Sequence, residues 1–395
     1  MDILSLINRS EGLLVQDLVN HEKSLKDKIK NARFLVIGAG GTIGQAVCRE
    51  IFKRKPAVIH AVDINENSLV ELVRDIRSSL GYLDVDFQTF AIDCSSLEFS
   101  ALCKKEGNYD YVFNLSALKH VRNEKDPYTL MRMIRVNILN TIKTLDMSRS
   151  WGSKKYFCVS TDKAANPVNM MGASKSIMEM FLMRNSIHQK ISTARFANVA
   201  FSDGSLLNGF RHRIEKKQPI SAPRDIKRYF VTPQESGQIC IFSGLLADNR
   251  EIYFPNLNDK EHLHTFSDIA TRYLNELGYE PYVCDTEGEA RKRANELISK
   301  KYWPCYFFDS DTTGEKKIEE FYSHSENINF TKYKGLGVIN KNQEYSENKL
   351  ELFLEEINRL LVLGNWSKED LVRLFIELIP DFDHIETGKN LDQRM

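Results

Sequence analysis

The chain has 395 residues, 42% hydrophobic and 27% charged, an ordinary balance for a globular protein and length enough for two to three folded units. Its 54 Lys and Arg offset 54 Asp and Glu, so it is not built around a nucleic-acid footprint. The richest apolar run, Ile239–Ala247, has nine residues, about half of what a membrane span needs. The opening MDILSLINRSEG lacks a basic flank and a cleavage site, which argues against secretion. The seven cysteines form no C-x-x-C pair, so reduced thiols in a cytoplasmic enzyme are expected, with no metal site.

Residues 1–32 read as a helical segment, with Leu13, Leu14, Leu18 and Leu25 at roughly helical spacing ahead of a Lys-rich end. From Arg33 the texture changes. Short apolar runs at 33–37, 58–62, 85–91, 110–115, 154–160 and 192–199 read as strands. Helical stretches at 43–54, 67–80, 130–148 and 172–184 separate them. This alternation predicts an α/β fold, a Rossmann-like doubly wound parallel sheet over residues 33–200. Residues 201–330 loosen into a smaller α/β lobe for substrate: loops, helices near 235–247, 266–277 and 286–300, and strands at 251–254 and 305–309. Residues 331–395 read as a helical extension, with helices at 345–363 and 367–378, packed on that lobe or used in assembly.

The first strand runs into Gly38-Ala39-Gly40-Gly41-Thr42-Ile43-Gly44. Gly38, Gly41 and Gly44 stand at G-x-x-G-x-x-G spacing between a strand and a helix, where a tight turn and a helix N-terminus receive a pyrophosphate. Asp63 ends the second strand nineteen residues beyond Gly44. A carboxylate there accepts ribose hydroxyls and repels a 2′-phosphate, and Ile64 rather than Arg follows, so NAD is expected over NADP. Asp93 and Cys94 follow the third strand, where Asp93 can meet the adenine edge. Small residues after the fourth strand, Leu115-Ser116-Ala117, let the backbone pass under a dinucleotide, with Thr42 and Ile43 completing that set. Asn137 reads as a structural bridge between strands.

The fifth strand ends in Ser160-Thr161-Asp162-Lys163, where ligands bind in such sheets. Met171 and Lys175, four apart, share a helix face, and Lys175 suits a nicotinamide ribose. Together, Gly38–Gly44, Asp63, STDKA (160–164), NPVNMMGASK (166–175) and RFANV (195–199) resemble the extended short-chain dehydrogenase/reductase superfamily. The nearest branch is the nucleoside-diphosphate-N-acetylhexosamine 4,6-dehydratases, in a subgroup with Met in place of Tyr.

That resemblance implies bound NAD, a nucleotide-sugar substrate and a homo-oligomer without a membrane span. It assigns Lys163 as base at sugar C5 and Asp162 as the acid that protonates the C6 hydroxyl. Lys163 must then be neutral, helped by Lys175 and the nicotinamide, and Asp162 must hold a proton, helped by desolvation. Met171 stands where the superfamily has the Tyr of Y-x-x-x-K. A thioether cannot take the proton of the 4-hydroxyl, so Thr161, Asp162 or a water does, or the protein is a silent NAD-binding scaffold. The Met subgroup also implies retention at C5.

On the substrate side the resemblance marks Lys119, His120, Asn198, Ser205 in Gly204-Ser205-Leu206, Arg228 for the diphosphate, and Glu315 in Thr313-Gly314-Glu315-Lys316. Thr312 replaces a family Arg, leaving UDP against GDP open. The competing activity on the same fold is a nucleotide-sugar 4-epimerase or reductase, which needs no acid and base at C5 and C6.

Overall fold

The computed structural model describes residues 2–257, 262–311, 316–341, 345–382 and 384. Nine strands form the main sheet: β1 Arg33–Ile37, β2 Val58–Asp63, β3 Asp86–Ala91, β4 Tyr111–Asn114, β5 Lys155–Thr161, β6 Ile191–Phe196, β7 Glu251–Pro255, β8 Asn327–Asn329 and β9 Leu336–Asn340. Their order is β8-β9-β7-β6-β5-β4-β1-β2-β3. The seven from β7 to β3 are parallel, and β9 and β8 add antiparallel at one edge. Strand order reverses between β1 and β4, the place where doubly wound sheets open a ligand crevice. Strand β6 is buried along its whole length and β5 at every position before Thr161, as sheets covered on both faces require.

The helices of eight residues or more among the described residues are α1 Val15–Ile29, α2 Thr42–Phe52, α3 Glu66–Leu80, α4 Leu97–Glu106, α5 Pro127–Ile134, α6 Asn140–Ser150, α7 Met170–Asn185, α8 Leu206–Glu215, α9 Pro233–Ile241, α10 Phe266–Glu276, α11 Glu287–Ser299, α12 Glu347–Leu363 and α13 Lys368–Leu378. The single helix expected over 130–148 is two helices joined by a π turn, Arg135–Leu139. Such turns often serve a local purpose. Here the turn presents buried Asn137, whose Nδ2 donates to Leu118 O at 3.1 Å and Ser174 Oγ at 3.0 Å while its Oδ1 accepts from Leu118 N at 2.9 Å. Asn137 therefore ties the loop after β4 to α7 and does not bridge strands.

Three further strands, Ile220–Pro223, Glu280–Val283 and Tyr302–Phe308, make a separate parallel sheet packed with α8 and α10. These strands fall within the range 201–330 read as a smaller lobe. Strand β7, expected in the lobe, belongs to the main sheet instead. The range 331–395 is not purely helical either, because β9 lies in it. Nor do α12 and α13 cover the lobe: Leu350, Phe353, Leu371 and Phe375 pack with Leu130 and Ile134 of α5 and Ile177 and Phe181 of α7. At the other end α1 joins the main core through Leu25 and Ile29. Its Asp17 accepts from Lys334 N at 2.9 Å and Gly335 N at 2.8 Å, just before β9.

A buried ionic network braces β5, β6 and the 321–326 segment. Arg195 pairs with Glu179 and Glu326, each at 2.7 Å, and donates to Phe321 O at 3.0 Å. Ser160 donates to Glu179 at 2.6 Å, and Lys341 pairs with Glu326 at 2.7 Å.

Burial raises the Glu326 pKa, but Arg195 and Lys341 outweigh it and bring the carboxyl to about 2, from 4.5. A depressed carboxyl stabilises the fold above its unfolded pKa and loses that contribution as pH falls through the folded one. Stability measured by urea denaturation should therefore drop between about pH 5 and about pH 2, and this drop should flatten in Glu326→Gln. The tail helices share a second core with α5 and α7: Phe375 is fully buried, and Phe375→Ala should cost about 3–5 kcal/mol in the same assay, whereas a tail loosely attached to the lobe would lose far less.

Candidate active site

The loop after β1 is held from both sides. Gly38 N and Ala39 N donate to Val62 O at 2.8 and 3.1 Å. Gly38 has φ +79°, and a Cβ there would lie 2.6 Å from Ser116 N; one on Gly44 would lie 2.1 Å from Gly38 O. These two glycines are therefore demanded by the fold itself, Gly38 where the loops after β1 and β4 touch and Gly44 where α2 presses on the loop after β1. Gly41 differs. It caps the N-terminus of α2, and a Cβ there would meet nothing nearer than Gly38 O at 3.7 Å. The chain leaves open space at this helix end, where an anion is favoured.

Asp63 stands beside that space and accepts from Gly40 N and Asn65 N, each at 2.9 Å. Asp93 is exposed, with Oδ1 accepting from Ser95 N at 2.7 Å. Its neighbour Cys94 is buried, which pushes the thiol up to about 11. Leu115 N donates to Ile37 O at 2.8 Å, and Asn114 Oδ1 accepts from Ser116 N and Oγ at 3.2 and 2.6 Å, with Ala117 half-buried next to it. Ile43 packs on the main core. Thr42 exchanges hydrogen bonds with Asp203, at 3.1 Å from its Oγ1 and 3.0 Å from Asp203 N, so the 202–205 loop crosses the mouth of the crevice. An open helix N-terminus with carboxylates at the ends of β2 and β3 suits a dinucleotide.

At the end of β5, Thr161 caps a short turn, Asp162–Ala164. Three donors converge on Asp162 Oδ1: Thr161 Oγ1 at 2.8 Å, Lys163 N at 2.9 Å and Lys163 Nζ at 3.1 Å. A second carboxylate, Glu319, flanks the same ammonium at 3.6 Å, and Arg228 lies 3.7 Å beyond it. Asp162, Glu319 and Arg228 are all buried. Burial pushes Lys163 down, but Asp162 and Glu319 more than offset this, and its pKa stands above the ordinary lysine value. Burial holds the Glu319 carboxyl above its ordinary range, against the pull of Lys163 and Arg228.

Several expectations change here. Lys175 does not supply the charge beside Lys163; its fully buried ammonium donates to Val159 O at 3.0 Å and Met178 Sδ at 3.5 Å, and burial lowers its pKa. The cation near the cluster is Arg228. Nor is Arg228 a free arm for phosphate, because Nη1 donates to Lys227 O and Lys316 O at 2.9 Å and Lys317 O at 3.2 Å. Beside Asp162, where the acid was sought, stands a second carboxyl, Glu319, which burial raises. Met171 is buried among apolar side chains of α5, α12 and α13, and its N–H donates to Glu124 at 3.0 Å.

The substrate candidates gather opposite. Lys119 Nζ reaches Ser202 Oγ at 3.5 Å, and desolvation lowers its pKa. A Cβ on Gly204 would lie 2.9 Å from His120 Nε2, and burial, with Lys119 and Arg122, lowers the His120 pKa. Asn198 Nδ2 is buried without a partner among the described residues. Ser205 caps α8, accepting from Asn208 N at 3.2 Å. Glu315 and Thr312 lie outside the described residues. No group of three or more His, Cys, Asp or Glu placed to hold a metal occurs among the described residues. No helix there is long and apolar enough to cross a membrane.

Sequence reasoning missed Glu319. It follows Lys316 by three residues in KKIEEFY, with nothing local to set it apart from Glu320. The bridge of Lys227 with Ile318 and the hydrogen bonds of Arg228 to Lys316 O and Lys317 O bring it beside Arg228.

The sequence pattern described as "Polysaccharide biosynthesis protein" matches residues 34–341. The chain belongs to this family. It is 30% identical over 276 residues to the probable polysaccharide biosynthesis protein EpsC of Bacillus subtilis, covering 69% of this chain and 45% of that protein. It is also 30% identical over 156 residues to an inverting UDP-N-acetylglucosamine 4,6-dehydratase of Campylobacter jejuni, covering 38% and 46%. UDP-glucose 4-epimerases also match, at 26% identity for that of Rickettsia canadensis over 66% of this chain and 76% of that protein. The chain thus spans about half the length of the first two relatives. Among solved structures, Pen from Bacillus thuringiensis superposes with a TM-score of 0.64 at 20% identity, covering 83% and 98% of the two chains, which shows the shared fold. Family relatives are nucleotide-sugar dehydratases and epimerases.

Because Gly41 is dispensable to the fold, Gly41→Ala should leave the melting temperature within about 2 °C of the parent while weakening NAD binding at least about tenfold by calorimetry. Equal loss of stability and affinity would assign Gly41 to the turn and not to a ligand.

Proposed function

We propose that this chain catalyses NAD-dependent 4,6-dehydration of a nucleoside-diphosphate N-acetylhexosamine, UDP-N-acetylglucosamine in first place, to a 4-keto-6-deoxy sugar nucleotide for bacterial surface polysaccharide. One observation carries this reading: a lysine between two buried carboxylates, Asp162 and Glu319, where β5 ends at the crevice. An epimerase has no use for an acid and a base at C5 and C6, whereas water loss needs both. A silent scaffold would have no reason to bury three charges together, since burying them costs several kcal/mol each unless they are paired.

NAD, when bound, would supply the hydride acceptor for C4 and the hydride donor for C6. Gly41, Thr42 and the α2 N-terminus would hold its pyrophosphate, Asp63 its adenosine ribose and Asp93 its adenine edge, while Leu115, Ser116 and Ala117 pass beneath. Met171 has no proton to exchange and is packed in the core. Thr161 already donates to Asp162 at 2.8 Å, so the proton of the 4-hydroxyl can pass through Thr161 to Asp162. The 4-keto group then acidifies the C5 proton, which Lys163 takes. A carboxyl beside Lys163 protonates the C6 oxygen as it leaves as water. One amine that removes and returns the C5 proton works on one ring face, giving retention. Lys119, His120 and Asn198 would face the sugar nucleotide.

The test is mass spectrometry after incubation with UDP- and GDP-N-acetylglucosamine in deuterated water. The expected product has lost one water and gained solvent deuterium at C5. A product of unchanged mass and altered stereochemistry would establish epimerisation instead. Lys163→Ala should retain NAD binding and lose water elimination by at least about 100-fold; full activity would remove Lys163 as the base.

A further inference from the structure

Residues 227–235 run from the Lys163 cluster to the cofactor helix. At the start, Lys227 N donates to Lys317 O at 2.9 Å, and Arg228 lies 3.7 Å from Glu319. In the middle, Phe230 and Val231 pair in parallel with Asn198 and Val199, and Asn198 N donates to Tyr229 O at 3.1 Å. At the end, Thr232 and Glu235 form a capping box on α9. Helix α9 presses on α2 so closely that a Cβ on Gly237 would lie 2.7 Å from the Ala46 carbonyl carbon.

A short two-stranded pairing such as that of 198–199 with 230–231 is marginal by itself. A residue from the start of the chain supports it. Arg9 grips Glu235 with both terminal nitrogens, Nη1 to Oε1 at 2.7 Å and Nη2 to Oε2 at 2.6 Å, and Nη2 also donates to Phe230 O at 3.4 Å. Leu13 N donates to Glu235 Oε1 at 2.6 Å and Thr232 N to Oε2 at 2.7 Å, so both carboxylate oxygens are satisfied. The Arg9 and Glu235 side chains are 7% and 3% exposed. The residues just before Arg9 hold the neighbouring strand. His264 stands opposite Arg228 in the backbone pairing. Its Nδ1 accepts from Arg272 at 3.1 Å, so its Nε2 donates to Ile7 O at 2.9 Å. Arg272 also donates to Leu6 O at 2.6 Å, and Leu6 and Ile7 are buried with Ile220 and Trp303 of the smaller sheet.

We propose that Arg9 is a positioning residue for the substrate side of the cleft: it fixes segment 227–235, and through it Arg228, Glu319 and Asn198, against the cofactor helix. This rests on the dehydratase reading and deepens it. Burying an ion pair costs desolvation that a well-packed apolar pair avoids, so stability alone gives Arg9 and Glu235 no reason to be charged. A planar bidentate pair holds one geometry, whereas an apolar contact can slide. Displacing the groups that orient a substrate by about 1 Å costs on the order of 100-fold in rate. The loop between β1 and α2 is held separately, by Gly38 N and Ala39 N on Val62 O, so NAD binding should not depend on the Arg9 pair.

The experiment compares the full-length parent with Arg9→Lys and with the double variant Arg9→Met/Glu235→Gln, in which no charge of the pair is left buried alone and Gln keeps the capping box. Calorimetry gives the affinity for NAD and, on the NAD-loaded protein, for UDP-N-acetylglucosamine; kcat, KM and melting temperature are measured alongside. The double variant should melt within about 5 °C of the parent and bind NAD within about twofold. It should nevertheless bind the nucleotide sugar at least about fivefold more weakly and lose at least about tenfold in kcat/KM. Arg9→Lys, which keeps the charge without the planar fork, should fall between the two.

The proposal is overturned if the double variant keeps kcat/KM within about threefold of the parent. It is equally overturned if NAD affinity and melting temperature fall along with nucleotide-sugar affinity, which would make the pair a general brace, or if Arg9→Lys is no better than the double variant. A parent that binds the nucleotide sugar and changes only its stereochemistry removes the dehydratase reading, while the affinity comparison still decides the role of Arg9. A parent that binds no nucleotide sugar removes both.

Discussion

Lys163 is the point on which the rest of the structure turns. An ammonium taken out of water is tolerated only beside anions, and this one has Asp162 at 3.1 Å and Glu319 at 3.6 Å. The two carboxylates come from distant parts of the chain. Asp162 arrives on the end of β5. Glu319 arrives on a segment held to the lobe by Lys227 N donating to Lys317 O at 2.9 Å, and to the sheet by Phe321 O on Arg195. Much of the architecture serves to bring these pieces together. The edge strands β8 and β9 extend the sheet on the far side of Glu326, and α1 clasps the start of β9 through Asp17. On the other flank, Asn137 fastens the β4 loop to α7.

The cofactor side follows a different logic. Gly38 and Gly44 are glycines because the chain collides with itself there, whatever it binds, while Gly41 is a glycine beside open space. A glycine motif therefore mixes residues that the turn needs with residues that a ligand needs. Only the built geometry separates them. The Thr42–Asp203 contact adds a link between the cofactor helix and the substrate loops. The same loops carry Gly204 against His120 and Ser202 against Lys119, so one segment meets both the α2 N-terminus and the loop after β4.

What was legible in the chain was local. β1 matches its apolar run residue for residue, and β2 to β5 differ by at most one position at either end, because two-sided burial leaves near-continuous apolar runs, while β6 stops three residues before its run does. The glycine loop, Asp63 and the Thr161–Lys163 turn stood in readable strand-end contexts. What escaped was long-range or weakly patterned. Helix α4 buries only Phe99 and Cys103 and leaves Leu97 exposed, too thin a stripe for periodicity to reveal. Strands Ile220–Pro223 and Glu280–Val283 are four residues each and become strands by pairing in parallel with Tyr302–Phe308. The placement of α12 and α13 on α5 and α7 depended on which apolar faces matched. Glu319 had no mark of its own, and Lys175 could have faced either the crevice or the strand carbonyl that it bonds. In each case the deciding partner lay far away in sequence.

The central claim is spatial: the C5–C6 edge of the sugar lies against the Lys163 cluster. A crystal structure of the chain with NAD and UDP-N-acetylglucosamine tests it most directly. The account requires C5 to face the Lys163 amine and O6 to lie within hydrogen-bond reach of a carboxyl in that cluster, with C4 presented to the nicotinamide. A sugar bound with C4 at the nicotinamide but with its C6 hydroxyl turned to solvent, away from Asp162, Lys163 and Glu319, would contradict it.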